Sequence, residues 1–457
     1  MFTVAKDTEI TPQLMCGYVK LHNTYAKHLN VLHEYYTGNH EILRRVKKET
    51  LANNKVVINH ARYITLISAG YMCGSPVTYQ SKSDTDLTEL NDWIEDAELA
   101  TQDMDLATDQ SKYGLAYELG YIAEGDDGKA VFKLATVDPR DAFVVYENNV
   151  TFKPVAAVYY YPVRDLNTQS ITGYDATLIT ESTVWTFKLG SGFELNSVPE
   201  ESVNTLGMIN LYEVYNNKDH QGDFEQEISL IDAYDKLMSD RLNDKEQFVD
   251  ALMVLKGATL GDDDAEKAST YRAVKNNGVM ELDGDASVEF LARQLDENGS
   301  ETLRKAIVED IGRMSCVPQM LDENFSGNSS GVALSYKFFP LDQIIKVKEK
   351  YFRECIKNRL KMFNRFRQLT GQPIYDLSDI KIKFKHILPA NTLEEAQKAS
   401  MLNGIIPDKE VISCLSFIDD PEAAADEMQK QKQESAQQFM NSPIIPEEPE
   451  GTEQDDV

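Results

Sequence analysis

The sequence predicts an α+β fold, and three observations predict it. Apolar residues recur at helical spacing through roughly the first hundred residues, alternate at period two between Tyr113 and Tyr215, and return to helical spacing after Gly222. Strand runs gathered together and separated by short turns indicate mostly antiparallel sheet, with the helices grouped before and after it.

Leu21, Tyr25, Leu29 and Leu32 predict a first helix with those four on its buried face. It should break at Tyr35-Tyr36-Thr37-Gly38, with a short second helix from His40 to Lys48. Asn59 can cap a helix carrying Ile64, Ile67 and Tyr71, and Gly74-Ser75-Pro76 then turns the chain into extended Val77-Thr78-Tyr79. A further helix should follow Asp86, with Leu87, Leu90, Ile94 and Ala97 on one face. The strands that follow are read in YGLAYELGYI, AVFKLATV, FVVY, AAVYYYPV, ITGYDATLIT, TVWTF and MINLYEVY.

Asp223 with Gln226 three residues on is an N-terminal capping pattern, and Ile231, Tyr234, Met238, Leu242, Val249 and Leu252 extend it to Lys256. About 30 residues at 1.5 Å each make a helix about 45 Å long, more than a compact domain needs. Its polar content suits packing along a narrow stripe. Residues 257–298 form an acidic insert with a turn at Asp262, Asp263 and Asp264 and strands near 278–282 and 288–291. A return helix is expected from Glu301 to Ser315, then a stop at Pro318, a loop of small residues, and a long basic helix to Leu369. That helix carries ten Lys or Arg between Lys337 and Arg367 against Asp342, Glu349 and Glu354. Its apolar stripe is Ile345, Phe352, Ile356, Leu360, Phe363 and Phe366, and its cations either face solvent or meet an acidic partner, DNA phosphate or another subunit. A strand from Ile380 to His386 should rejoin the α+β domain, followed by a small helical region to Gln438 and a disordered acidic tail.

At 457 residues and 42% hydrophobic the chain can bury a substantial core, in two to four domains by length. The formal net charge of −29 disfavours a high-affinity nucleic-acid binder, although weak contact is what a conduit needs. Cys16, Cys73, Cys316, Cys355 and Cys414 are scattered, with no CxxC pair, and are expected to be reduced thiols. MFTVAKDTEITPQL lacks the basic-then-apolar pattern of a secretory signal, and residues 63–81 are too polar to span a bilayer, so a soluble intracellular chain with no membrane partner is expected.

Chemistry-bearing motifs are few. Gly327-Asn328-Ser329-Ser330-Gly331 matches GxSxG, but a nucleophile elbow needs a buried strand before it, and Leu321-Asp322-Glu323-Asn324-Phe325 is not one. A serine hydrolase using Ser329, with His386 as base, is kept as an alternative. No P-loop, HExxH or dinucleotide motif is present, so neither a cofactor nor a metal is expected and an ATP-driven motor is not encoded. His22, His28, His33 and His40 lack metal-site spacing and read as packing or surface residues.

Five stretches in order carry a resemblance: HEYYTGNHEI from His33, NNKVVINHARYITLISAGYMCGSPVTY from Asn53, YGLAYELGYI from Tyr113, DPRDAFVVY from Asp138, and SGNSSGVALSYKF from Ser326. With the acidic insert between two helices, the chain resembles the portal proteins of long-tailed double-stranded-DNA bacteriophages over nearly all its length. The resemblance implies a non-enzymatic subunit of a ring of about twelve copies at one capsid vertex of the virion, assembled in the host cytoplasm. Double-stranded DNA would pass through it. The terminase ATPase, head-completion or connector proteins, and the major capsid and scaffolding proteins would dock on it.

It further implies a portal-like architecture: an α+β wing at 1–225, stem helices at 226–256 and 299–316, and a small α/β clip at 257–298. A tunnel loop follows at 317–336, then the long wing helix and returning strand at 337–389, a helical crown at 390–437, and the tail at 438–457. Asn324, Ser326, Gly327, Asn328, Ser329, Ser330 and Gly331 would line the DNA channel, with Gly327 and Gly331 letting the loop flex. Asp262, Asp263 and Asp264 would meet docking partners. A non-portal virion scaffold or adaptor is the remaining alternative.

Overall fold

Period-two alternation decides the centre of the protein. In this computed structural model, strand β5 (Ala142–Glu147) sends Phe143 and Val145 to one face and Ala142 and Val144 to the other, and all four are buried. Neighbouring β6 (Pro154–Arg164) does the same with Ala156, Val158 and Tyr160 against Ala157. A sheet covered on both faces needs two covering layers. Helix α1 (Pro12–Thr37) supplies one through Met15, Cys16 and Val19, and a second sheet supplies the other through Leu115, Tyr117, Val137 and Leu211.

The structure describes residues 2–49, 51–125, 128–248, 252–256, 262–277, 286–291, 297–319, 331–386, 392–415, 418 and 421–441. These divide into a large unit, residues 1–319 with 338–386, and a smaller one, residues 320–337 with 387–457. In the large unit β1 (Phe2–Val4), β5, β6, β7 (Ile171–Ile179), β8 (Thr183–Gly190) and β9 (Glu200–Val203) form one sheet in the order β1-β5-β6-β7-β8-β9. Only β1 with β5 is parallel among these pairings. β10 (Leu211–Tyr215), β3 (Leu115–Glu124) and β4 (Ala130–Val137) form the covering antiparallel sheet, and β2 (Thr78–Ser81) pairs with β13 (Ile380–Lys383).

Helices α2 (His60–Cys73), α3 (Thr88–Asp96) and α4 (Leu99–Tyr113) precede the strands. Asn59 caps α2 as expected, its side chain accepting from the Arg62 amide at 2.8 Å. Helices α5 (Ile228–Phe248) and α7 (Glu297–Ser315) pack together and flank β11 (Leu252–Lys256), α6 (Asp264–Asn277) and β12 (Ser287–Leu291) in sequence. Helix α8 (Gly331–Leu369) enters the large unit at Phe338. The smaller unit holds α9 (Thr392–Leu402), α10 (Asp408–Ile412) and α11 (Pro421–Asn441).

Several expectations need correction. The first helix buries Met15, Val19, His22, Ala26 and Leu29, while Leu21 and Tyr25 are 60% and 37% exposed. The expected and observed stripes share Leu29 and Leu32, both fully buried, and Met15, Cys16 and Val19 carry the observed one onto the sheet. Residues 40–48 yield only a single tight turn of helix, Glu41–Arg44. Helix α4 and strands β1 and β9 were not anticipated.

The largest correction concerns the helix expected over 226–256. It ends at Phe248, and Leu252–Lys256 pairs antiparallel with Ser287–Leu291 instead. A short apolar run such as LMVLK satisfies either period, and the pairing partner decides between them. The tail expected from 438 starts too early, because α11 runs on to Asn441; the expected strand at 278–282 and residues 442–457 of that tail lie outside the described residues.

Candidate functional site

The loop read as the channel lining begins where α7 stops. Ser315 ends the helix, and Cys316 takes φ 58°, a left-handed conformation that turns the chain away from the helix axis. Val317 is then fully buried and the Pro318 carbonyl accepts the Tyr63 hydroxyl at 2.9 Å, so the exit from α7 is anchored on α2. Asn324, Ser326, Gly327, Asn328, Ser329 and Ser330 lie outside the described residues. Gly331 does not belong to a loop. It is the first residue of α8, which starts before the expected boundary at 337 because VALSYKF has no helix-breaking residue.

Helix α8 buries its expected stripe: Ile345, Phe352, Ile356, Leu360, Phe363 and Phe366 are all buried. Its cations were misread, because several turn inward onto carboxylates of the same chain. The Arg359 guanidinium, fully buried, binds Glu118 through Nε at 3.1 Å and Nη2 at 2.6 Å, and Asp103 through Nη2 at 2.6 Å. Burial works to lower the Arg359 pKa, but Asp103 and Glu118 outweigh it and hold the group charged. Arg367 reaches Glu89 at 2.7 Å, and Arg353 reaches Glu349 at 3.3 Å. The signal for the Arg359 cluster was Glu118 itself, an acid inside an otherwise apolar strand.

Where α4, the start of α5, α7 and α8 meet, the Lys348 ammonium pairs with Asp223. Asp223 also accepts the Ser111 hydroxyl at 2.5 Å and the Asn216 amide at 2.8 Å. A cavity of about 260 Å³ opens beside it, lined in part by Glu227, Met314 and Val347. Burial, with Asp223 adding to it, pushes Glu227 up to about 7.

His386, the hydrolase alternative's base, sits 2.6 Å from Glu349 and stacks on Tyr71. Among the described residues no group of His, Cys, Asp and Glu is placed to hold a metal, and no helix is long and apolar enough to cross a membrane.

The three acidic residues of the insert have unequal roles. The Asp263 carboxylate accepts the Glu266 amide at 2.8 Å, and Glu266 accepts the Asp262 amide at 3.1 Å, which is a reciprocal cap on the start of α6. Asp264 opens the helix with its side chain fully in solvent, 3.7 Å from Lys267. Asp263 is therefore committed to the fold, while the carboxylates of Asp262 and Asp264 are exposed.

The helix pair that flanks this insert in sequence is tied by exposed ions. Arg241 of α5 meets Glu297 at 3.2 Å and Glu301 at 3.0 Å on α7, and Glu301 also holds Arg304 at 2.7 Å. Among the described residues the pair's buried apolar side chains are few, Ile231, Tyr234, Ile307 and Ile311, while Asp235, Ser239 and Asn243 of α5 are buried through hydrogen bonds to Ile58, Val56 and Asn54.

Residues 18–438 match the family described as phage portal protein, SPP1 Gp6-like. The portal protein of Clostridium phage phiCD119 is 24% identical over 393 residues, 82% of this chain and 84% of that protein. The portal protein of Bacillus phage SPP1 is 21% identical over 397 residues, 82% and 75% of the two chains. A chain in the neck of an empty GTA particle, computed with C6 symmetry, aligns with a TM-score of 0.44 at 12% identity, covering 77% of this chain and 88% of that one. The match runs from α1 into α11 and does not favour the hydrolase or adaptor alternatives, and the chain belongs to the SPP1 Gp6-like family of phage portal proteins.

Proposed function

We propose that this portal protein works as a closed ring of about twelve copies at one vertex of the virion capsid, assembled in the host cytoplasm, through which double-stranded DNA is packaged and later ejected. The observation that carries this reading is the family match over residues 18–438, and the α5–α7 pair supports it. Two helices joined by a narrow apolar stripe leave Leu242, Leu303 and Met314 exposed, and a closed ring covers such side chains with neighbours without leaving open ends.

In that reading α5 and α7 are the stem, and residues 249–296 are the clip, larger than the sequence suggested because β11 joins it. Residues 320–330 are the tunnel loop, α9 to α11 the crown, and the rest of the large unit the wing. The clip docks the packaging ATPase and then head-completion proteins, with Asp262 and Asp264 offering exposed carboxylates; capsid and scaffolding proteins meet the outer surface. The uncharged run from Asn324 to Ser330 keeps DNA from sticking, because phosphate affinity comes from cations.

Native mass spectrometry and negative-stain electron microscopy of the purified protein test the reading. Rings of about twelve copies are expected. A monomer or dimer under all conditions, including with scaffold and capsid protein present, would refute it.

A further inference from the structure

Strand β13 is paired along one edge only. The Lys82 amide donates to the Asp379 carbonyl at 3.0 Å, and this fixes the phase of the ladder with β2. Asp379, Lys381 and Lys383 turn their backbone groups toward β2, while Ile380 and Ile382 turn theirs away. The Arg353 guanidinium donates to the Ile382 carbonyl from the open side, as that phase requires. The amides of Ile380 and Ile382 and the carbonyl of Ile380 face the open edge with no partner among the described residues.

This edge borders a groove of about 460 Å³ whose other wall is α8, through Arg353 and Lys357. Lys82, Lys381 and Lys383 complete its charge, and no acidic residue lines it. Arg353 is partly offset by Glu349 and Lys357 by Glu354, but Lys381 and Lys383, two apart on one face of the strand, have no acidic partner among the described residues. In a chain of net charge −29, five cations around an open strand edge are a local reversal of sign.

We propose that this groove binds an acidic segment of a partner polypeptide in extended conformation, added to β13 as a third strand. The Ile380 and Ile382 amides and the Ile380 carbonyl stand at strand spacing, which an extended peptide complements and a nucleic acid does not, while Arg353 already holds the Ile382 carbonyl. The cations select acidic side chains flanking the added backbone. The chain's overall negative charge also opposes nucleic acid here.

Fluorescence anisotropy with the full-length protein tests this, using a labelled heptapeptide of alternating glutamate and valine as the probe. Saturable binding that weakens with salt is expected, reduced at least about tenfold by Lys381→Glu combined with Lys383→Glu. The same peptide with every backbone amide N-methylated keeps its charge but has no N–H to offer either edge of a strand, and should not bind. This second probe uses the unaltered protein, so it decides the matter even where the double variant does not fold. Absence of saturable binding overturns the inference. Equal binding by the N-methylated peptide, or by single-stranded DNA of the same length, overturns it too, by showing a cationic patch with no strand addition.

Discussion

Two buried imidazoles, His22 and His40, meet different hydrogen-bond partners. His22 Nδ1 lies 2.8 Å from the Tyr160 hydroxyl and Nε2 lies 3.2 Å from the Pro139 carbonyl. A hydroxyl can donate, so one ring nitrogen accepts, the other donates, and a neutral ring satisfies both. His40 instead faces the Asp235 carboxylate at 2.6 Å and the Tyr35 carbonyl at 3.0 Å.

Burial pushes His22 down to about 4, with the Pro139 carbonyl pulling weakly the other way. The unfolded chain, titrating near 6.5, takes up the proton first. The contribution is therefore whole above that pH and is lost as pH falls toward 4, about 3 kcal/mol in all. His22→Gln should flatten this part of the stability profile in denaturation at stepped pH; an unchanged slope would clear His22 of the effect. Glu227, pushed up to about 7, tilts the other way. Its contribution is whole below the ordinary carboxylate range and is lost as pH rises through 7, so Glu227→Gln should gain on the parent protein above neutrality. Arg359→Met should cost about 3–5 kcal/mol in chemical denaturation, because it leaves Glu118 and Asp103 buried without a counter-charge. Arg359→Lys should recover only part of that, since a lysine cannot reproduce the fork.

At the scale of elements, the short apolar run after α5 is the clearest case of one sequence open to two structures. LMVLK continues the helical stripe of α5 as well as it makes a strand, and its register with Ser287–Leu291 exists only once the chain has come back. The acidic turn teaches a similar lesson. Asp263 caps α6, so Asp263→Ala should cost the helix about 1 kcal/mol and speed amide exchange there. Charge reversal at Asp262 and Asp264 leaves the cap intact and should weaken partner docking without that change in exchange. If α6 loosens equally in both, the carboxylates have no separable roles. Water screens the pairs that Arg241 makes with Glu297 and Glu301, so the helix pair draws little stability from its ions.

At the scale of the whole molecule, burial is concentrated in the two-faced sheet and along α8, while the α5–α7 pair is sparing with apolar contact. Deleting residues 327–331 should leave ring assembly intact and impair DNA packaging or retention, read by electron microscopy of the rings and by packaged genome length. Loss of the rings would make the segment structural.

Much of this was legible in the sequence because local periodicity is a local property. Seven strand runs, the cap at Asn59 and the α8 stripe follow from spacing and turn chemistry alone, and the family follows from five short stretches in order. What spacing could not settle was every choice that depends on a partner distant in the chain. The stripe of α1 that meets the sheet, strand against helix at Leu252–Lys256, and the inward turn of Arg359 onto Glu118 and Asp103 were decided only by tertiary structure. A charge or an apolar run carries no record of which surface will be brought against it, and the free energy of burial and pairing belongs to that meeting.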